Sequence, residues 1–312
     1  MKFYKYQGAG NDFLIADNRD GHITEKDGVL TALLPDGSAE EVSISELCDR
    51  RYGVGADGLM LLDDPEKVLP EEGTLVEGVR IYRSQKSFRM TYYNSDGSGG
   101  MMCGNGGRCI VAFAADRGIT DFCFHAADGY HSADIISDDG RTKIVSLKMK
   151  DVASYEHYEG LSGVSVPSDG YFLDTGTRHY VRIVENLETY DVVGEGRDIR
   201  YNASELQPVG ANVNFIEPAA DGWLKVRTYE KGVEDETFAC GTGIVASCIA
   251  AYKAGIRPSE SCGHDIKYNV IAKRDRLSVS FRPLDLSNGI AEDVYLTGPA
   301  TYVAEINVDM LN

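Results

Sequence analysis

The sequence has no Cys-x-x-Cys pair and no histidines at ligand spacing, although it carries seven cysteines and six histidines. The cysteines stand at 48, 103, 109, 123, 240, 248 and 262, an odd number. This pattern gives neither a disulfide framework nor a zinc site, so no metal is expected. Basic residues are scarce: 31 Lys and Arg face 49 Asp and Glu, a net charge of −18. That balance argues against nucleic acid and against an anionic membrane surface, which attract Lys and Arg. It reads as a solvated surface. No apolar run approaches the roughly 20 residues of a membrane span. The opening MKFYKYQGAGNDF is polar and glycine-rich, without the apolar centre of a signal peptide. The expectation is a cytoplasmic protein with reduced thiols. A chain of 312 residues forms one large domain or two ordinary ones and buries its core without staples.

What the sequence does contain is a long-range repeat. Residues 90–119 read MTYYNSDGSGGMMCGNGGRCIVAFAADRGI, and 226–256 read VRTYEKGVEDETFACGTGIVASCIAAYKAGI. Each copy opens with a strand-like alternating run. A polar turn, a Cys-Gly-x-Gly and an apolar stretch of small residues follow. In both, a glycine stands fifteen residues after the cysteine: Cys103 to Gly118, and Cys240 to Gly255. A helix starting at the cysteine and stopped by a C′ glycine explains the spacing. Short strands are read at 143–149, 180–184, 212–216 and 277–281, and 63–78 reads as a surface loop or hairpin. The fold class is α+β with a β majority. Two similar halves with a cleft between them are expected, joined near 120–126.

A cysteine at a helix N-terminus lies beside unpaired N–H groups and the positive end of the helix dipole. Both favour the thiolate, so a lowered thiol pKa is expected at Cys103 and Cys240. The Gly-x-Gly lets backbone approach a ligand, and the N–H groups can hold a carboxylate. Two such units offer a base on one face of a carbon and an acid on the other. Inverting an amino-acid stereocentre needs that arrangement. The sequence shows no clear pyridoxal site, so no cofactor is expected, and helix-end donors would stabilise enolate-like charge instead. Cys109 and Cys248, inside the two helices, read as small core hydrophobes.

At these residues the chain resembles the diaminopimelate epimerase family. The resemblance runs nearly end to end through KYQGAGNDF at 5–13, RRYGVGADGLMLL at 50–62, YYNSDGS at 92–98 and MCGNGGRC at 102–109. It continues through DTGTRHYV at 174–181, ANVNFI at 211–216, TYEKGVEDETFACGTG at 228–243 and LTGPA at 296–300. Proline racemases share the two-thiol logic, but their first motif typically carries His where Asn105 stands. The resemblance implies two pseudosymmetric β-rich halves, each wrapped around a central helix, with the active site in the cleft. Residues 1–122 with 301–312 would form the half carrying Cys103, and 123–300 the half carrying Cys240. It implies Cys103 and Cys240 as the acid/base pair, with His179 and Glu230 tuning their pKa values. Gly104, Asn105, Gly241 and Thr242 would hold the reacting end of the substrate. Asn11, Asn94, Asn212 and Glu230 would also bind it, Asn94 and Asn212 towards its distal end. The resemblance further implies a small amino-acid substrate, LL- and meso-diaminopimelate, and a homodimer by analogy.

Two departures touch the distal end. The family usually has Glu-Arg where this chain has Glu230-Lys231, so Lys231 would bind the distal carboxylate without a planar fork. The family favours Gly-Asn-Pro-His or Gly-Ser-Pro-His, and here Gly176-Thr177-Arg178-His179 stands; Arg178 either replaces the missing guanidinium or points to solvent. A third departure is Ala304, where relatives often carry a Tyr implicated in dimer contacts. The alternatives are a paralogous racemase of another amino acid such as histidine, a Cys103–His179 hydrolase, and a non-catalytic amino-acid-binding protein. The run Gly53-Val-Gly55-Ala-Asp-Gly58 matches a dinucleotide pattern. A helix-like stretch at 44–52 precedes it and a strand-like one at 59–62 follows, the reverse of the required order. It reads as a turn that Asp57 helps to order.

Overall fold

A computed structural model describes residues 1–64, 75–76, 79–80, 88–99, 102–166, 168–284 and 290–308. The chain forms two compact units, Met1–Leu147 with Pro299–Asn312, and Lys148–Gly298. Each is rich in strands and each has one central helix, so the fold is α+β. The junction falls after Leu147, not after residue 122, and the C-terminal return starts at Pro299, not 301. The reason lies in Cys123–Ala126, which pairs parallel with Phe88–Asn94 through Phe124 and Phe88. Those two rings stack 5.1 Å apart. The hairpins that follow therefore extend the first sheet. The loop expected at 63–78 lies for the most part outside the described residues.

In the first unit the C-terminal end of Ala291–Asn307 lies beside Lys2–Gly8, then Asn11–Asn18, Gly58–Asp63 and Phe88–Asn94. Cys123–Ala126, Gly129–Asp138 and Thr142–Lys148 complete the series. Successive pairs run antiparallel, antiparallel, parallel, antiparallel, parallel, antiparallel and antiparallel. The ring closes where Tyr302 N–H donates to the Arg141 carbonyl at 2.8 Å and the last strand pairs with Thr142–Lys148. The second unit repeats the series. Tyr155–Tyr158, Gly170–Asp174, Arg178–Ile183, Asn212–Pro218, Trp223–Glu230, Asp265–Ile271, Arg276–Pro283 and the start of Ala291–Asn307 pair in the same order of directions. The duplication read from the two cysteine motifs thus extends to the whole topology.

The central helices are Gly104–Asp116 and Gly241–Lys253, both thirteen residues long and both capped by their cysteine. All residues from Gly104 to Ala114 are buried, as are Gly241 and Gly243 to Ala251. A helix enclosed by strands cannot afford bulky residues on every face, which is why Gly, Ala, Ser and Cys dominate both sequences. Gly118 and Gly255 end them at φ +80° and +77°. The N–H groups of Ile119 and Ile256 reach back five residues to Ala114 and Ala251, a Schellman closure.

The strands of the two parallel pairs that precede the helices are the most deeply buried. Gly58–Leu62 and Asn212–Ile216 have no exposed face, as expected where both sides of a sheet are covered. One side meets the central helix. The other is covered by the segment linking the parallel strands, since such a pair requires a crossover. In the first unit that cover is a three-stranded sheet, Ile23–Lys26, Val29–Leu33 and Ala39–Ser43, with the short helix Ile44–Cys48. In the second it is the helix Val192–Asn202. The shorter strands observed at Thr142–Lys148, Arg178–Ile183 and Arg276–Pro283 cover those expected at 143–149, 180–184 and 277–281 within one or two residues. Among the described residues no helix is long and apolar enough to cross a membrane.

Candidate active site

Cys103 is the N-cap of its helix with extended backbone (φ −113°, ψ 121°), and its carbonyl accepts the first helical bond from Gly107 N–H at 2.7 Å. Neither it nor Cys240 caps the helix with its side chain. Helix geometry leaves the first-turn N–H groups without an intrahelical acceptor.

Below Cys103 runs a chain of polar side chains with one sense. Arg108, fully buried, donates to Asn105 Oδ1 at 2.8 Å and to the Gly104 carbonyl at 3.3 Å. Asn105 Nδ2 donates to Asn11 Oδ1 at 2.7 Å, and Asn11 Nδ2 to Asp57 Oδ2 at 2.9 Å. A guanidinium only donates and a carboxylate only accepts. The two ends therefore fix both amide orientations. Asn11, with its oxygen engaged and one amide hydrogen on Asp57, retains one N–H for a ligand. Asp57 is itself held by Arg50 at 2.6 Å and by the Asp12 N–H at 3.2 Å. Asp12 accepts from Arg50 and pairs with Lys5 at 2.8 Å. Burial alone would raise its pKa, but these two cations hold it down to about 2. The glycine-rich loop follows helix Ile44–Cys48 and leads into strand Gly58–Asp63. That is not a dinucleotide turn. Asn94, by contrast, sits in a turn of its own: its Nδ2 donates to Ser98 Oγ at 2.9 Å and its Oδ1 accepts from Tyr92 at 3.0 Å.

In the second unit Cys240 is the N-cap (φ −99°, ψ 113°), with Ile244 N–H on its carbonyl at 2.9 Å. Its sulfur lies 3.5 Å from Thr242 Oγ1. Thr242 Oγ1 is 2.9 Å from His179 Nε2, and Thr177 Oγ1 is also 2.9 Å from that nitrogen. On the other side of the ring, Asn214 Nδ2 contacts Nδ1 at 3.0 Å. Asn214 Oδ1 in turn accepts from Thr228 at 2.8 Å. His179 is fully buried, and desolvation lowers its pKa to about 3, so the ring is neutral. Glu230 accepts from Thr237 Oγ1 at 2.7 Å. Asn212 bridges two loops, donating to the Arg178 carbonyl at 3.1 Å and accepting from Lys231 N–H at 2.8 Å.

The two departures separate here. Arg178 stacks over Phe172 at 4.9 Å and donates to the Leu206 carbonyl at 3.3 Å, so its guanidinium serves the second unit's own packing. Lys231 is exposed, and among the described residues its ammonium forms no ion pair that would compete with a ligand. Cys109 and Cys248 are fully buried, and burial pushes both thiols up, as their reading as core residues requires.

Reading the sequence did not single out Arg108, Asn214 or Thr228. Asn214 could have been found from period-two alternation, since it shares a strand face with Asn212. Thr228 lies directly opposite it on the antiparallel neighbour. Arg108 carried no such signal, because a buried arginine and a surface one look alike in sequence.

The family model described as Diaminopimelate epimerase matches residues 3–153 and 171–268. The diaminopimelate epimerase of Flavobacterium psychrophilum is 39% identical over 310 residues, 99% of this chain and 100% of that one. That of Aquifex aeolicus is 36% identical over 98% of this chain and 96% of its own. Among solved structures, a Bacillus anthracis phenazine biosynthesis protein of the PhzF family aligns with a TM-score of 0.65 at 15% identity, covering 99% of this chain and 98% of that one. A probable proline racemase from Agrobacterium radiobacter aligns with 0.62, also at 15%, covering 99% and 93%. At such identities these two likenesses concern the fold.

Proposed function

We propose, given that this chain belongs to the diaminopimelate epimerase family, that it interconverts LL- and meso-diaminopimelate without a cofactor, using Cys103 and Cys240 as its acid/base pair. The observation that carries the reading is the matched placement of the two thiols, each as N-cap of the thirteen-residue helix enclosed by its own unit. In turnover one cysteine, as thiolate, takes the α-proton, and the other, as thiol, delivers a proton from the opposite face. The carbon inverts, and the two cysteines exchange protonation states for the reverse reaction. First-turn N–H groups of Gly104, Asn105, Gly241 and Thr242 take the α-carboxylate and stabilise charge as it spreads towards it. The remaining Asn11 N–H binds the same end. Lys231 supplies a cation for the distal carboxylate, beside Asn212 and Glu230, and Asn94 lines the same region. Location in the cytoplasm and a homodimer belong to this reading by analogy with the family.

The test is hydrogen exchange at the α-carbon. Reduced protein in D2O with LL-diaminopimelate should incorporate deuterium and form the meso isomer. Cys103→Ser and Cys240→Ser should each abolish inversion. Activity retained by Cys240→Ser would favour a one-thiol hydrolase, and the absence of exchange on diaminopimelate and on a panel of amino acids would refute the epimerase reading. A second reading, a racemase of another amino acid, draws on Lys231 alone, since Arg178 is engaged elsewhere. It predicts exchange on a different member of the panel.

A further inference from the structure

The repeated topology permits residue-by-residue comparison of the two units. Gly58 pairs with Asn94 across the antiparallel neighbour and with Phe13 across the parallel one. Asn212 begins the equivalent strand, and its parallel partner is His179. Two residues on, Met60 lies opposite Tyr92, and Asn214 opposite Thr228. The third helical residue confirms the register. A Cβ at Gly106 would meet Met60 Sδ, and one at Gly243 would meet Asn214 Oδ1. The places filled by Phe13 and Met60 in the first unit are thus filled by His179 and Asn214 in the second. All four are fully buried.

This fold therefore closes equally well around an apolar pair. Burying an imidazole and an amide instead is unfavourable unless every polar atom is matched, and the second unit supplies Thr228, Thr177 and Thr242 to match them. The polar set leads to one exit, the Thr242 hydroxyl 3.5 Å from the Cys240 sulfur. Its direction depends on the imidazole tautomer. With the proton on Nε2, the ring donates towards the threonine hydroxyls, and a hydroxyl proton remains to point at sulfur. With the proton on Nδ1, Nε2 accepts one of those protons and the chain runs the other way.

We propose that Asn214 is a positioning residue for Cys240: by donating to Nδ1 it holds His179 in the Nε2–H tautomer, which aims the Thr242 hydroxyl proton at the Cys240 sulfur. The thiolate is thereby stabilised by a hydroxyl donor, and the places of His179 and Asn214 are taken in the first unit by Phe13 and Met60, whose side chains have no proton to give. The inference rests on Cys240 being one of the two bases proposed above, but its first test does not involve turnover.

The ring nitrogens of 15N-histidine-labelled protein report the tautomer directly, with His179→Gln used to assign the signal. His179 should show a protonated Nε2 and an unprotonated Nδ1. A protonated Nδ1 in the unaltered enzyme would overturn the inference whatever the substrate proves to be. The second test is a double-mutant cycle. Asn214→Leu and Thr242→Val should each lower kcat roughly ten- to a hundred-fold, the range of a hydrogen bond to a charged group. The double variant should lose little beyond Thr242→Val, because both act through one proton. Thr242→Ser, which keeps the hydroxyl, should restore most of the rate. Additive losses, or failure of serine to rescue, would reduce Asn214 to a packing role. Should Asn214→Leu not fold, the tautomer and the serine rescue still decide the matter.

Discussion

Alanine at Gly106 and alanine at Gly243 are one chemical change at equivalent points of two repeated units, and they should have opposite outcomes. Both glycines are third in their helices, where alanine gains up to about 1 kcal/mol of helix propensity. At Gly106 the added Cβ would lie 3.3 Å from Met60 Sδ and 3.4 Å from Met90 Cε. Unbranched methionine side chains yield by a few tenths of an ångström at little cost, so Gly106→Ala should stay within about 1 kcal/mol of the parent protein. At Gly243 the Cβ would lie 2.4 Å from Asn214 Oδ1 and 3.2 Å from His179 Cε1. The amide cannot retreat without releasing Thr228 at 2.8 Å or His179 at 3.0 Å. Overpacking of about 1–3 kcal/mol and a buried hydrogen bond of about 0.5–1.5 kcal/mol then oppose the helical gain. The net loss should be about 1–3 kcal/mol, a Tm lower by about 2–4 °C per kcal/mol for a unit of this size. Calorimetry measures it, with separate transitions fitted if the units unfold apart. Equal Tm changes for the two variants would refute the argument that the polar set sits tightly under the second helix.

Four further outcomes follow from the same geometry. Lys231→Ala should raise KM for diaminopimelate about ten- to a hundred-fold, the loss of one charge-assisted contact, with kcat less affected; an unchanged KM would remove Lys231 from the distal site. Arg178→Ala should leave KM unaltered and lower Tm modestly, because the guanidinium stacks on Phe172, a contact of about 0.5–2 kcal/mol. Asp57→Leu removes the accepting end of the chain from Arg108, so Asn11 loses its fixed orientation; KM should rise several-fold while Asp12 keeps Arg50 in place, and an unchanged KM would show that Asn11 needs no such support. Asp12 has a pKa lowered from 3.8 to about 2. Its contribution, about 1–2 kcal/mol after allowance for screening, is therefore present above pH 4 and is lost as pH falls towards 2. In urea titrations at pH 5 and pH 2.5, Asp12→Asn should show the smaller loss of stability between the two.

The parts of this protein most legible in its sequence are those set by local rules. The cysteine-to-glycine spacing located both helices because helix capping uses few residues at fixed offsets. Strand positions followed from alternation. The boundary between the units was not legible at 122, since a parallel pairing such as Phe88 with Phe124 joins segments separated by an entire helix and leaves no mark at either one. The candidate site divides in the same way. Its motif residues stood out, but Thr228 acts across a sheet, and Arg108 is buried where sequence cannot tell it from a surface arginine. The sequence leaves Arg178 between the distal end and solvent, because it offers no sign that Phe172 and Leu206 hold it.

The duplicated topology also says where this chain's two halves have parted. Had both thiols needed the same surroundings, the same residues would stand beneath both helices, as the cysteines and the second motif glycines do. Instead Phe13 and Met60 pack beneath one, and neutral His179 with Asn214 beneath the other. An epimerase whose two substrates are different stereoisomers has no need of identical bases. In the mechanism proposed above, each thiol is thiolate when its own isomer binds and thiol when the other does. In the first unit Arg108, Asp57 and Arg50 are linked to one another through the amides of Asn105, in the helix that Cys103 begins, and Asn11. In the second the sulfur meets a hydroxyl whose proton is directed by a buried ring. The forward and reverse reactions would then lose activity unequally when Asn214 is replaced, with the larger loss in the direction that uses Cys240 as base. Rates of deuterium entry measured separately from LL- and from meso-diaminopimelate would reveal that direction, and equal losses would mean that the polar set serves the fold of the second unit and not its thiol.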